Sequence, residues 1–368
     1  MTKRVIVIMG GPSPEHEVSI TTGISIINGL IGGKWDVYGM YWGRNREFYG
    51  ARRINREIGS KEDLFQLMDL KSQIIEYVEG EGIEPLLRAV KGKERETMVF
   101  PALHGSYGED GKLQGLLEIL GVPYVGNDVA ASAVAIDKVL SKDLLECHGL
   151  PQGDYRVMEK TEMNHRGKLY DKLADLLFPI YIKPARLGSS IGILRIREES
   201  DLIDGLHKAF AYDDKLVIEE EIQGREMQIS VIGNHEPRVS EVGEFIQGKP
   251  FMDYHTKYTP GLLESVIPAR LTKLQRQGMR RDALKAYKVL GCKGLARIDF
   301  FVAKSGEHYI NEINTMPGFT PQSMTPKLWE SLTGMSYREL LEQLVSYGEE
   351  AFLGKDGIGD DSKRSTVD

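Results

Sequence analysis

At 368 residues the chain is too long for one ordinary core and predicts two or three packed units. Its 41% hydrophobic and 27% charged content fits a soluble globular protein, and a net charge of −7 argues against a broad phosphate-backbone footprint, which sets nucleic acid aside as a partner. The two cysteines, Cys147 and Cys292, lie in apolar contexts that predict buried thiols, and the first apolar run is too short for a signal segment or membrane span, so a cytoplasmic protein is expected.

Val5 to Met9 has the pattern of a buried strand, Gly10-Gly11-Pro12 turns it, and Glu17 to Leu30 carries helical apolar spacing. Strand, glycine turn and helix open a doubly wound α/β unit, although the GxGxxG dinucleotide fingerprint is absent. Glu15 and Glu17 fall at the helix entrance, where a favourable interaction with the helix dipole accounts for them. Residues 43–98 are polar and poorly periodic and read as a loop-rich extension of the first domain. Val99 to Leu103 is a strand end, followed by His104 and the turn Gly108–Gly111, a helix from Leu113 to Leu120 and a further strand from Val122 to Val125. His104 therefore falls at the carboxyl end of a strand, where open α/β sheets bind ligands, although a lone histidine is more often structural.

One helix is expected from Asp128 to Cys147, a short strand at 156–159 and a short helix at 170–177. Ile180 to Ile196 reads as strand, Gly/Ser loop, strand; the loop can cradle phosphates or be a plain hairpin, and it is no P-loop because Gly-Lys-Ser/Thr is missing. A helix at 201–210 and a strand at 216–219 lead into three glutamates, Glu219 to Glu221, which suit either a solvated edge or a hinge that reads an adenine and a ribose. Met227 to Ile232 is another strand, residues 249–260 a polar, aromatic-rich loop with the character of a mobile lid, and 271–290 a long helix. Lys327 to Tyr347 reads as one helix, and the tail from Gly354 as disordered.

The richest stretch is Gly294 to Gly318. Two strands flank the turn signal Ser305-Gly306; with a two-residue turn, Lys304 faces Glu307, Asp299 faces Glu312, and Arg297 faces Asn314. Alternation then puts Asp299, Glu312, Arg297 and Asn314 on one side of the hairpin. Facing carboxylates repel unless a cation lies between them, and oxygen donors of this kind suit Mg²⁺; a solvated sheet face is the competing reading.

These pieces together resemble the D-alanine–D-alanine ligase family of the ATP-grasp superfamily. The matching stretches, in order, are GGPSPEHEVS (10–19), HGSYGEDG (104–111), IKPARLGSSIG (182–192), EEEIQGRE (219–226), DYHTKY (253–258), GCKGLARIDF (291–300) and NEINTMPGFTPQSM (311–324). The resemblance implies an N-terminal doubly wound α/β domain (1–127) followed by a two-lobed ATP-grasp fold, with a central lobe at 128–215, a C-terminal lobe at 216–353 and a tail at 354–368. It implies ATP-dependent joining of two D-alanines through a D-alanyl phosphate for peptidoglycan precursor synthesis, two Mg²⁺ ions with Mn²⁺ as a substitute, and a homodimer.

Residue by residue, the resemblance gives Lys138 and Lys183 the α- and β-phosphates and closes Gly188, Ser189 and Ser190 over them. Glu219 and the backbone of Glu220 to Ile222 contact the adenine, Glu226 the ribose, and Lys257 the γ-phosphate. Asp299, Glu312 and Asn314 are the implied metal ligands, with Glu312 bridging; Arg297 and the Gly318 N–H stabilise the oxyanion. Glu15 holds the first D-alanine's ammonium, His104 lies beside the amino acids, Ser323 and Met324 hold the second carboxylate, and Tyr258 ties the lid to Ser189 and Glu15. His255-Thr256 departs from the Glu-Ala of many relatives. A ligase joining D-alanine to D-lactate, and a non-catalytic nucleotide-binding protein, are the competing readings.

Overall fold

The computed structural model describes residues 3–70, 82–246 and 264–356. The expected lid and the remainder of the tail, with Lys257 and Tyr258, lie outside the described residues.

Three sheets organise the chain. The first is built by β1 (Arg4–Gly10), α1 (His16–Leu30), β2 (Asp36–Trp42), β3 (Phe48–Arg53), α2 (Lys61–Leu67), α3 (Glu84–Val90), β4 (Thr97–Ala102) and α4 (Lys112–Ile119). Its strand order is β3-β2-β1-β4; β1 pairs in parallel with β2 and β4, and β3 returns antiparallel on the edge. β1 is buried on both faces, which is why it reads as a continuous apolar run rather than an alternation. Residues 43–98 are therefore not loop-rich among the described residues: they supply an edge strand and two seven-residue helices, too short to show periodicity. The strand expected at 122–125 is a single bridge, Tyr124 against Val99.

Next come α5 (Val129–Ile136), α6 (Lys138–Cys147), β5 (Tyr155–Glu159), α7 (Arg166–Leu173), β6 (Ile180–Pro184), β7 (Leu194–Ile196), α8 (Leu202–Ala209) and β8 (Lys215–Glu220). The helix expected at 128–147 breaks at Asp137. That residue turns extended (φ −83°, ψ 101°) and its carboxylate caps α6 by accepting from the N–H groups of Val139 and Leu140 at 3.0 and 3.2 Å. The break frees the Lys138 N–H to donate to the Ala185 carbonyl at the end of β6 (2.9 Å). The helix expected at 170–177 lies earlier, as α7. The second sheet, β5-β8-β6-β7, is antiparallel. It includes β8, which the expected boundary after 215 assigns to the C-terminal lobe.

The third sheet is formed by β9 (Gly224–Ile232), β10 (Arg238–Ile246), β11 (Glu264–Val266), β12 (Leu295–Ala303) and β13 (His308–Asn314), in the order β11-β10-β9-β12-β13, backed by α9 (Lys273–Val289). A capping box between Thr272 and Gln275 starts α9. The helix expected at 327–347 is two, α10 (Met324–Thr333) and α11 (Tyr337–Asp356), separated where Gly334 adopts φ +72°.

α11 does not stay with the third sheet alone. Leu340, Leu341, Leu344 and Val345 enter the cluster that holds Val5, Val7 and Phe100 of the first sheet, Ile26 of α1, and Ile232 and Leu295 of the third sheet. Gly29 permits this approach of α1 to α11: a Cβ there would collide with Leu341 and Tyr337. Among the described residues no helix is long and apolar enough to cross a membrane. Cys147 is exposed, contrary to expectation, because it ends α6 on its solvent side, whereas Cys292 is buried; both are free thiols.

Candidate active site

β12 alternates cleanly. Ile298, Phe300 and Val302 enter the core under α9, so Arg297 and Asp299 face the other way. Asp299 pairs with Glu312 and Arg297 with Asn314, as the spacing predicts. The route to that register is different. The Ala303 N–H donates to the Glu307 carbonyl, leaving a three-residue loop rather than two, so Val302 faces His308. The expected Lys304–Glu307 pairing is absent, and an irregularity between Phe300 and Asp299 returns the missing residue at Asn311. On the face away from α9 the Arg297 guanidinium donates twice to Asp299 (2.6 and 2.7 Å), and the Asn314 amide donates to the same carboxylate at 3.2 Å. Gln228 of β9 lies opposite Asp299, and its buried Oε1 has no hydrogen-bond partner among the described residues.

The second sheet presents cations to this face. Lys183 on β6 donates to Glu219 on β8 (2.8 Å) and to Asn311 of β13 (3.1 Å). Lys138, at the start of α6, donates to the Leu187 carbonyl (2.5 Å) and lies 3.8 Å from Glu312. Lys142, one turn further along α6, forms an ion pair with Glu219 at 3.3 Å. Burial would raise the Glu219 carboxyl, but Lys142 and Lys183 overcome it and hold it down at about 2. At Lys142 itself burial outweighs Glu219 and lowers the ammonium below the usual lysine range. Of the three consecutive glutamates only Glu219 turns inward. Glu220 accepts from the Leu177 N–H, and Glu221 from Arg195 and Tyr181. The Glu220 and Glu221 N–H groups go to Asp154 and Pro179, while Ile222 lies against Gly153. Glu226 sits on β9 opposite Phe301, one pair beyond Asp299 on the same face.

The first sheet closes the third side. Glu15, 5% exposed at the entrance of α1, accepts a hydrogen bond from the Ser189 hydroxyl. Ser189 and Ser190 hold left-handed backbone (φ +51° and +59°), which bends the Gly188–Ser190 loop over toward Glu15. Gly105 (φ +73°) suits glycine, since that backbone strains other residues and a Cβ would stand 2.5 Å from Glu15 Oε2 and displace it. His104 is buried, and burial lowers its pKa. Its Nδ1 lies 3.0 Å from the Met316 carbonyl, which only accepts, so Nδ1 carries the proton and Nε2 accepts from the Thr22 hydroxyl at 2.8 Å. Both nitrogens are thus taken by protein groups. Glu109 accepts from the N–H groups of Gly105 (2.8 Å) and Met316 (3.1 Å); burial and the nearby Glu15 carboxylate push its carboxyl upward. Gly318 lies next to the Ser323 hydroxyl, which accepts from the Thr320 N–H (3.0 Å), and Met324 opens α10.

The structure thus brings Lys138, Lys183, Glu219, Arg297, Asp299, Glu312 and Asn314 into one cleft, with Glu15 and Ser189 at its first-domain side. Lys142, Glu109 and Gln228 were not singled out by sequence. Lys142 alone left a signal, standing four residues after Lys138 and so on the same helix face.

Two antiparallel sheets meeting over a cleft, one supplying buried lysines and the other a carboxylate hairpin, define an ATP-grasp enzyme. Family models described as D-ala D-ala ligase N-terminus and C-terminus match residues 4–127 and 144–346. The chain is 42% identical to a D-alanine–D-alanine ligase of Geobacillus kaustophilus, over 97% of this chain and 98% of the relative. It is 40% identical to one of Bacillus cytotoxicus, over 97% and 99%. Solved structures with the same fold include the D-alanine–D-alanine ligase of Coxiella burnetii (TM-score 0.79, 28% identity, 100% and 99% covered). The VanG D-Ala:D-Ser ligase of Enterococcus faecalis (0.76, 32%, 95% and 100%) and the Bacillus anthracis D-alanine–D-alanine ligase complexed with ATP (0.71, 27%, 96% and 100%) share it too. The chain belongs to the D-alanine–D-alanine ligase family.

Proposed function

We propose that this protein joins two D-alanines at the expense of ATP, forming D-alanyl-D-alanine, ADP and phosphate. The observation that carries the reading is the contact between sheets: Lys183 reaches Asn311 and Lys138 approaches Glu312, so the phosphate-type cations stand over the carboxylate hairpin. A carboxylate is a poor acylating agent because oxide would have to leave. Its oxygen therefore attacks the γ-phosphorus of ATP, ADP departs, and an acyl phosphate results. The amine of the second D-alanine attacks that carbonyl, sheds a proton, and phosphate leaves. Phosphoryl transfer asks chiefly for positioning and charge neutralisation, which suits a cleft rich in Lys and Arg.

In this reading Lys138 and Lys183 hold the α- and β-phosphates under the Gly188–Ser190 loop, Glu219 and the 220–222 backbone bind the adenine, and Glu226 binds the ribose. Glu15 holds the first ammonium, Ser323 and Met324 the second carboxylate, and Arg297 with the Gly318 N–H faces the tetrahedral oxygen. His104 acts through Met316 rather than on substrate. Lys257 and Tyr258 keep the lid roles that the resemblance gives them. The donor set on the hairpin is oxygen only and has the unsatisfied Gln228 oxygen beside it, which fits Mg²⁺ or Mn²⁺. Asp299, Glu312 and Asn314 would hold two such ions, which neutralise phosphate charge when bound. We assign the domains as the first α/β unit to residue 127, the central lobe from 128 and the C-terminal lobe from β9. A cytoplasmic homodimer completes the proposal.

Purified protein supplied with ATP, Mg²⁺ and D-alanine should release phosphate and D-alanyl-D-alanine in equal amounts. ATP turnover without dipeptide, or preferential capture of D-serine or D-lactate in a mixture with D-alanine, would overturn the assignment.

A further inference from the structure

The loop Thr315–Phe319 carries Gly318, and among the described residues the hydrogen bonds that tie it down come from elsewhere in the chain. The Thr315 carbonyl accepts from Asn127 (3.2 Å), the Met316 N–H donates to Glu109 (3.1 Å), the Met316 carbonyl accepts from His104 (3.0 Å), and the Phe319 carbonyl accepts from Tyr337 (2.6 Å). The peptide groups on both sides of Met316 are thus held by two side chains of one first-domain loop. That loop is itself stiff: Glu109 also accepts from the Gly105 N–H, the His104 N–H donates to Ser19 (3.0 Å), and Thr22 holds the far side of the imidazole. Pro317, between Met316 and Gly318, has a ring-fixed φ, so one of the two dihedrals that relate the Gly318 N–H to the Met316 peptide is already set.

We infer that Glu109 is a positioning residue for the acyl-transfer step: with His104 it clamps the Met316 peptide and thereby aims the Gly318 N–H at the oxygen of the tetrahedral intermediate. The inference rests on the reading of Gly318 as an oxyanion donor. It assigns the first domain a part in the chemistry as well as in substrate binding. A carboxyl group fits the task because two N–H groups converge on it, one per oxygen, and these two bonds favour its ionised form against the upward push of burial and Glu15. A carboxamide offers a single acceptor, so Glu109→Gln turns an NH₂ group toward one of the two donors and opens that side of the clamp.

The test uses the full-length protein and separates the clamp from its chemical consequence. Hydrogen exchange, followed in the ADP-bound enzyme, should accelerate in Glu109→Gln at residues 315–319 while the β12–β13 hairpin keeps its protection. In the same variant kcat should fall by about 10- to 100-fold, the scale of a misaimed oxyanion donor, with KM for ATP unchanged. Affinity for a phosphinate analogue of the tetrahedral intermediate should fall by the same factor as kcat. His104→Phe, which keeps a ring but loses the donor to the Met316 carbonyl, should act in the same direction and serves if Glu109→Gln does not fold. Unchanged exchange at 315–319 would overturn the clamp. Faster exchange with kcat and analogue affinity unchanged would leave the clamp standing and overturn the Gly318 oxyanion role.

Discussion

At the scale of single residues, Glu219 is the most committed titratable group in the cleft. It is buried between Lys142 and Lys183 and its carboxyl is held at about 2, below the usual value of about 4.3. A folded-state value below the unfolded one means the stabilisation is present in full above about pH 4.3 and is lost as pH falls toward 2. Melting temperature measured from pH 5 to pH 2 should therefore fall more steeply for the native chain than for Glu219→Gln. At neutral pH Glu219→Gln should cost about 3 kcal/mol, since it leaves buried ammonium groups short of a counter-charge; a urea midpoint that does not move would contradict the pairing. Glu219 was legible in the sequence only as one of three alike. Which glutamate turns inward depends on β8 pairing with β6, a contact 36 residues away in the chain. Glu109 was less legible still, because its partner Met316 lies 207 positions on.

At the scale of elements, the β12–β13 hairpin was the most readable part of the chain, since its charged residues alternate with core residues at the period of a strand. Two of the three facing pairs, Asp299–Glu312 and Arg297–Asn314, came out as counted, although the turn and the Lys304–Glu307 pair did not. A longer loop and an irregularity at Asn311 cancel, and the extra residue is the one that receives Lys183. Such a compensation is invisible to counting from the turn. Asp299→Asn and Glu312→Gln should each reduce dipeptide formation by on the order of 10²-fold or more, the scale seen when one charge-stabilising group is lost. Far-UV circular dichroism and melting temperature should stay near those of the native chain, because both side chains lie off the core face. Near-normal turnover in Mg²⁺ by either variant would contradict the paired-ligand reading. The short helices α2 and α3 escaped sequence analysis for the opposite reason: seven residues hold too few turns to display an apolar face.

At the scale of the whole molecule, the order of the three sheets followed the chain and was legible, whereas the return of α11 to the first sheet was not. Nothing in an amphipathic helix names the surface that it will cover. The packing of Leu340, Leu341, Leu344 and Val345 with β1 and α1 predicts one cooperative calorimetric transition, not separate melting of the first domain. Leu344→Ala should lower stability by about 2–5 kcal/mol and move that single transition as a unit; an independent early transition would show that the first domain stands alone. The same packing has a consequence for synthesis. Domains commonly fold in the order in which the ribosome delivers them. Here β1 and α1 share their core with α11, which follows both later lobes in the chain, so the first domain cannot finish folding until those lobes and α11 have been made. During that interval the apolar face that α11 will cover stays open to other chains. Translation speed and chaperone supply, more than final stability, should then set how much of this protein reaches its native state.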